Sequence, residues 1–173
     1  GMPESRLQIH LGQGLSRGER MDWAIQKATE LGAAQITPII SERCEVRLKE
    51  ERADKRLSHW RQIAISACEQ CGRTALPELA EPIKLPQLLK HWQAERAIIF
   101  ADEAGGQPMH DLHVPPPAAI FVGPEGGFTD KERTLLLDHP SVRRMALGPR
   151  ILRAETAALA AISLWMGAEG DWR

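Results

Sequence analysis

The sequence predicts an α/β fold, a mostly parallel sheet with helices on both faces, and three observations carry that prediction. Hydrophobic periodicity switches repeatedly between two residues and three-to-four residues, as it does where strands alternate with helices. Short apolar runs at Ile36 to Ile40, within Arg96 to Asp102 and at Ala118 to Val122 lack polar alternation, the pattern of strands buried on both faces. Two glycine-bearing segments follow directly on strand-like runs and precede helix-like ones, as loops at the carboxyl ends of parallel strands do.

Taken in order, Leu7-Gln8-Ile9-His10-Leu11 alternates with period two and runs into Gly12 and Gly14, a strand entering a loop. From Glu19 the spacing turns helical, with Met21, Ile25, Ala28 and Leu31 on one face and Gly32 as the stop. Ile36 to Ile40 is a β-branched buried strand. Ala53 to Cys71 is the clearest helix, with Leu57, Trp60, Ala64, Ala67, Cys68 and Cys71 on one stripe. Pro77, Pro82 and Pro86 confine any strand in 74–90 to a short or edge position. Gly105 to Pro117 has no apolar period and reads as an irregular connection. Thr129 to Asp138 opens with the Thr-x-x-Glu spacing of a capping box, Met145 to Leu147 reads as a short strand, and Glu155 to Gly167 as an almost wholly apolar helix.

Composition narrows the class. A chain of 173 residues and 19.2 kDa suits one domain over 1–173, with Gly1 read as a cloning remnant. Hydrophobic residues at 43% and charged residues at 26% describe a globular protein, and a net charge of −1 argues against a wholly basic nucleic-acid coat. Thr156 to Ala168 is too short to span a bilayer, and no charged-then-apolar leader precedes it, so the expected setting is cytoplasmic. Three cysteines do not make a disulfide framework.

Two loops have the composition of a ligand site. Gly123-Pro124-Glu125-Gly126-Gly127 follows the strand ending at Val122, and Gly148-Pro149-Arg150-Ile151-Leu152-Arg153 follows Leu147. Glycines let backbone groups approach a ligand with no Cβ in the way. The first loop lacks the Lys-Ser/Thr pair of a phosphate cradle, carries Glu125, and lacks dinucleotide-site glycine spacing, so a neutral or cationic ligand held by backbone groups fits better. Either loop alone reads equally well as a tight turn; the pair does not.

Residues 140–154 carry Arg143, Arg144, Arg150 and Arg153 without an acid among them. Residues 43–61 carry Arg43, Arg47, Lys49, Arg52, Lys55, Arg56 and Arg61 against Glu45, Glu50, Glu51 and Asp54, a local excess of +3. Such concentrations suit phosphate contacts to RNA or DNA, although about half of the second run reads as a solvated face of paired charges. Cys68 and Cys71 fall on an apolar stripe and read as inert thiols, His110 and His113 as a solvated loop with no metal expected, and Trp23, Trp60 and Trp92 as core or edge-of-core anchors.

Three segments then resemble a known family in order and spacing: Glu69-Gln70-Cys71-Gly72-Arg73, Gly123-Pro124-Glu125-Gly126-Gly127-Phe128, and Leu147-Gly148-Pro149-Arg150-Ile151-Leu152-Arg153-Ala154-Glu155-Thr156-Ala157, with Lys27-Ala28-Thr29-Glu30-Leu31-Gly32 adding to them. The chain resembles the bacterial ribosomal RNA small-subunit methyltransferase E (RsmE) family of the SPOUT superfamily. That resemblance implies a C-terminal trefoil knot, S-adenosylmethionine (SAM) as cofactor, a homodimer through the knot helices, and methylation of N3 of a specific uridine in 16S rRNA of the small ribosomal subunit. Relatives carry an N-terminal PUA-like RNA-binding barrel, which the resemblance implies this chain lacks. The implied SAM site comprises Val122, Gly123, Pro124, Glu125, Gly126, Gly127, Leu147, Gly148, Ile151, Leu152 and Arg153. Arg153 is assigned to stabilise the uridine anion, Glu155 to accept its proton or orient Arg153, and Glu125 is the alternative base. Arg73, Arg143, Arg144 and Arg150 are candidate RNA contacts, Arg73 reading equally well as a salt bridge to Glu69. Alternatives are another RNA acceptor, such as a tRNA ribose, and a non-enzymatic RNA-binding assembly factor.

Overall fold

The computed structural model describes residues 9–44 and 50–173. Leu7 and Gln8 of the first predicted strand, and Glu45, Arg47 and Lys49 of the basic run, lie outside the described residues. The described elements are β1 (Ile9–Gly14), α1 (Gly18–Glu30), β2 (Gln35–Ile40), α2 (Glu50–Cys71), β3 (Glu78–Leu79), β4 (Ile83–Lys84), α3 (Leu85–Lys90), β5 (Ala97–Ala101), α4 (Met109–Leu112), β6 (Ala118–Val122), α5 (Asp130–Asp138), β7 (Val142–Met145) and α6 (Ala154–Ala168). The strands form one sheet in the order β3-β2-β1-β6-β5-β7, with β4 also on β2, and every pairing is parallel.

Parallel strands need their faces covered, and both are. On one face Ile9, Leu11, Ile99, Ala118, Ile120 and Val122 pack under α1, α2 and α6, through Met21 and Ile25, Leu57 and Trp60, and Ile162, Trp165 and Met166. On the other, Ile39, Ile98, Phe100, Ala119 and Phe121 meet Leu85 and Leu89 of α3 and Leu136 of α5. Each large side chain buried in these layers contributes about 1.5–3 kcal/mol. Trp165 is wholly buried and its indole N–H donates to the Val114 carbonyl at 2.9 Å, so its one polar atom is satisfied.

Local chemistry sets the element ends. The capping box predicted at Thr129 forms: the Glu132 amide donates to Thr129 Oγ1 at 3.2 Å and the Thr129 amide to Glu132 Oε1 at 3.1 Å. Helix α1 stops at Leu31, where Gly32 adopts φ +99. The prolines of 74–90 leave only the two-residue strands β3 and β4.

Several expectations are corrected. The seventh strand is Val142–Met145 rather than Met145–Leu147. It lies at the sheet edge beside β5, so Arg143 and Arg144 keep polar surroundings within a strand and break the apolar pattern that sequence reading follows. The irregular connection contains the one-turn helix α4, pinned by Met109 in the core. Trp60 is buried and Trp92 partly so, but Trp23 is 47% exposed and is not a core anchor. Strand β1 is buried on both faces because it is central, so His10, an outward position by simple alternation, is enclosed. His10 stacks on Trp92 with ring centroids 5.4 Å apart, and its Nε2 lies 2.7 Å from Thr37 Oγ1.

Burial, reinforced by the positive charge of Arg96, pushes the His10 imidazole down to about 4. Between that value and the unfolded value of about 6.5 the unfolded chain binds a proton that the fold does not. The contribution of His10 to stability should therefore be complete above about pH 6.5 and fall by roughly 3 kcal/mol as pH drops to about 4. Urea unfolding at pH 7 and pH 4 of the wild type and His10→Gln checks this. The two should converge or invert in acid, and a pH-independent difference would show that His10 is not the group responsible.

Candidate active site

Three loops leave the carboxyl ends of adjacent strands β5, β6 and β7 and enclose one cleft of about 370 Å³. Its apolar wall is Phe100, Ala101, Val122, Leu147, Leu152, Ala154 and Ala157, and its rim is charged, with Arg20, Arg43, Arg150, Arg153, Glu103 and Glu125. All eleven residues of the implied cofactor site line this cleft. What brings them together is a set of contacts made by residues distant in sequence.

The loop after β6 is seated on β1. A Cβ at Gly14 would fall 2.3 Å from the Pro124 nitrogen, so only glycine there lets the loop backbone lie against the strand. The loop turns through Gly127, at φ +74, whose amide donates to the Pro124 carbonyl at 2.8 Å. Glu125 is already engaged on both oxygens: Oε1 accepts the Arg17 backbone N–H at 3.0 Å, and Oε2 pairs with Arg20 at 2.8 Å. Arg43 donates to the Gly126 carbonyl at 3.0 Å, joining the segment after β2 to the same loop.

The loop after β5 begins at Asp102, whose side chain is 2% exposed and joins three elements. Its Oδ1 accepts from Arg133 Nε at 3.2 Å and from the Ala104 amide at 3.0 Å. Its Oδ2 accepts from Arg133 Nη2 at 2.7 Å and from Arg144 Nε at 2.8 Å. Burial works to raise the Asp102 carboxyl, but the hydrogen bonds from Arg133, the Ala104 amide and Arg144 overcome it and hold the group below its ordinary value. The segment then crosses the end of β7. Asp102 donates its amide to the Met145 carbonyl, while Gln107 donates to Arg144 and accepts from the Ala146 amide on the opposite edge of the strand. Gly106 permits that passage, since a Cβ there would sit 2.9 Å from the Arg144 backbone.

The loop after β7 runs from Ala146 to Arg153, where α6 begins with its N-terminus at the cleft. Arg153 occupies the cap position in extended conformation, and Ile151 is 84% exposed. Glu155 lies in the first turn of α6, beside the cleft rather than on its wall. Its Oε2 is shielded from solvent and has no hydrogen-bond partner among the described residues.

Of the arginines singled out as RNA contacts, Arg150 lines the cleft and is exposed. Arg143 is exposed and donates to the Pro140 and Val142 carbonyls. Arg144 is held by Asp102, and Arg73 donates to the Thr29 and Ala33 carbonyls at 2.9 and 3.0 Å, closing the end of α1. Sequence reasoning missed the 100–104 side of the cleft and the contributions of Arg20, Arg43 and Arg133. An acidic residue at a strand end followed by Gly105-Gly106 was a readable signal for Asp102. The arginines come from other elements and leave no local trace.

The cleft thus lies at the carboxyl edge of a parallel α/β sheet, between the loops after β5, β6 and β7 and the N-terminus of the C-terminal helix. Residues 3–166 match the RNA methyltransferase domain family, and the chain belongs to it. Its relatives narrow the assignment. The ribosomal RNA small subunit methyltransferase E of Buchnera aphidicola is 38% identical over 97% of this chain and 68% of its own length. The crystal structure of a ribosomal RNA small subunit methyltransferase E from Neisseria gonorrhoeae, bound to S-adenosyl methionine, superposes with TM-score 0.91 at 40% identity, over 99% of this chain and 70% of that one. The chain is therefore a member of the ribosomal RNA small subunit methyltransferase E family, spanning about two thirds of the length of these relatives. The SpoU methyltransferase AviRb from Streptomyces viridochromogenes, at 16% identity and TM-score 0.57 over 94% of this chain and 60% of that one, shares the fold alone.

Asp102→Asn removes the charge that gathers Arg133 and Arg144, and is expected to cost about 2 kcal/mol at pH 7. For a chain of this size that lowers the melting temperature by roughly 4–8 °C. Because the carboxyl is held low, the deficit should persist down to about pH 4 and shrink only below it. Thermal melts across that range test both points, and an unchanged melting temperature would deny the clamp its role.

Proposed function

We propose that this chain uses SAM to methylate small-subunit ribosomal RNA, at N3 of a specific uridine in the 16S molecule. The observation that carries the reading is the cleft itself, where the eleven residues implied by the family resemblance converge at the sheet edge. Its volume of about 370 Å³ suits a small-molecule ligand. Its apolar wall suits an adenine, and its loops offer backbone groups without the lysine of a phosphate cradle. The Neisseria gonorrhoeae relative, of the same fold, is bound to S-adenosyl methionine.

When bound, the cofactor supplies an electrophilic methyl on a cationic sulfur, which keeps the bonding pair as the methyl leaves. The acceptor nitrogen carries a proton at neutral pH, so the chain must remove it and stabilise the resulting anion over the flanking carbonyl oxygens. Arg153, exposed at the cleft and at the mouth of α6, is the residue this reading assigns to stabilise that negative charge. Glu155, with one oxygen lacking a partner among the described residues, suits the proton acceptor or the group that orients Arg153. Glu125 suits neither as well, since Arg17 and Arg20 occupy its oxygens. Arg150 and Arg143 remain the RNA contacts this reading favours, because Arg73 and Arg144 have structural partners.

A trefoil knot belongs to the same proposal. It is supported by the 102–107 segment, which passes from one edge of β7 to the other around the end of the strand. A homodimer through α6 is supported by that helix's outward face. Leu159 and Leu164 are 38% and 47% exposed there, and Ala160, Leu164 and Ala168 line a shallow groove with Pro108 and Met109.

Calorimetric titration of the chain should show saturable SAM binding and no response to ATP or NAD. Arg153→Ala should abolish methyl transfer to small-subunit RNA while SAM affinity stays within about tenfold, roughly 1.4 kcal/mol. Turnover by that variant would remove Arg153 from the mechanism, and failure of the wild type to bind SAM would remove the proposal. Light scattering at micromolar concentration should give twice the chain mass; a monomer would refute the dimer.

A further inference from the structure

Among the acids of the cleft, Glu103 stands apart. Asp102 is consumed by Arg133 and Arg144, and Glu125 by Arg20 and the Arg17 amide. Glu103 lines the same cleft, is exposed, and makes no hydrogen bond or ion pair with any described residue. It sits on the loop that Asp102 fixes, one residue beyond the clamp, so its backbone position is set by the fold although its side chain is uncommitted. The rim around it carries Arg20, Arg43, Arg150 and Arg153, and its one other acid, Glu125, is neutralised by Arg20.

A ligand carrying a positive charge has to find a carboxylate in such a rim. SAM has two cationic centres, the sulfonium and the α-ammonium of its amino-acid tail. The apolar wall, Val122, Leu147, Leu152 and Ala157, takes the adenine inward and leaves the amino-acid tail, the most strongly hydrated part, at the wet rim where Glu103 lies. We infer that Glu103 is a cofactor-binding residue that pairs with the α-ammonium group of the bound cofactor. This rests on the SAM reading above and extends it to a loop the sequence had left unassigned.

The experiment compares wild type, Glu103→Gln and Glu103→Ala by calorimetry with three ligands. SAM carries both cations, S-adenosylhomocysteine keeps only the ammonium, and 5′-methylthioadenosine has neither. Because the pair is partly solvated, both variants should bind SAM and S-adenosylhomocysteine roughly three- to tenfold more weakly, with methylthioadenosine unchanged. Melting temperatures should match the wild type, since the side chain has no partner among the described residues. Unchanged affinity for SAM and S-adenosylhomocysteine overturns the inference while leaving the SAM reading intact. Weakening of SAM alone overturns it by assigning the carboxylate to the sulfonium, and equal weakening of all three overturns it by revealing a structural role. If the wild type binds none of them, the failure is that of the SAM reading.

Discussion

Three loops from three different strands must hold a common geometry for this cleft to exist, and one buried carboxylate does most to hold it. Asp102 ends β5, Arg133 projects from α5 and Arg144 from β7, so the charge draws together the strand, helix and edge that frame the site. A carboxylate with so little exposure would be costly alone. Here the Arg133 fork, the Arg144 Nε and the Ala104 amide satisfy both oxygens. The arginines keep part of their surface in water, which limits the cost of burying the ensemble. The result is a hydrogen-bonded base under glycine-rich loops, the kind of support that preorganised binding needs.

Close backbone approach is the second constraint. Gly14 lets the 123–127 loop lie on β1, and Gly106 lets the segment after β5 pass over β7. Neither position leaves room for a methyl group, so both are steric requirements of how the chain is threaded at the sheet edge. Helix α6 then serves two surfaces. Its N-terminus and Ala154 and Ala157 complete the cleft, while its apolar outward side continues into a groove with the segment before α4. A helix so short of charge gains from burial on every side.

The two glycine loops were legible because strand, loop and helix signals are contiguous there: an apolar run, a Gly-Pro pair, a capping box. The loops 123–127 and 148–153 could be picked out as a ligand site on that basis and both line the cleft, while their assignment to a particular cofactor came from the family resemblance. The seventh strand was misplaced because Arg143 and Arg144 interrupt an apolar run, and only edge pairing with β5 makes them a strand. Trp23 was misassigned because a tryptophan on a helix says nothing about which face the partner elements leave open.

What the sequence by itself determined is what arises from neighbours along the chain: the alternation of strands and helices, the capped start of α5, the two ligand loops and the family signature. What only the tertiary structure decided is what arises between distant residues. It committed Arg73 and Arg144 to structural bonds, occupied Glu125 with Arg17 and Arg20, enclosed His10 on a strand that looked half-exposed, and left Glu103 without a partner among the described residues. The physical reason is that a side chain's charge, burial and hydrogen bonds depend on which elements pack against it, and residues such as Glu125 and Arg17, 108 positions apart, meet only when the sheet has formed.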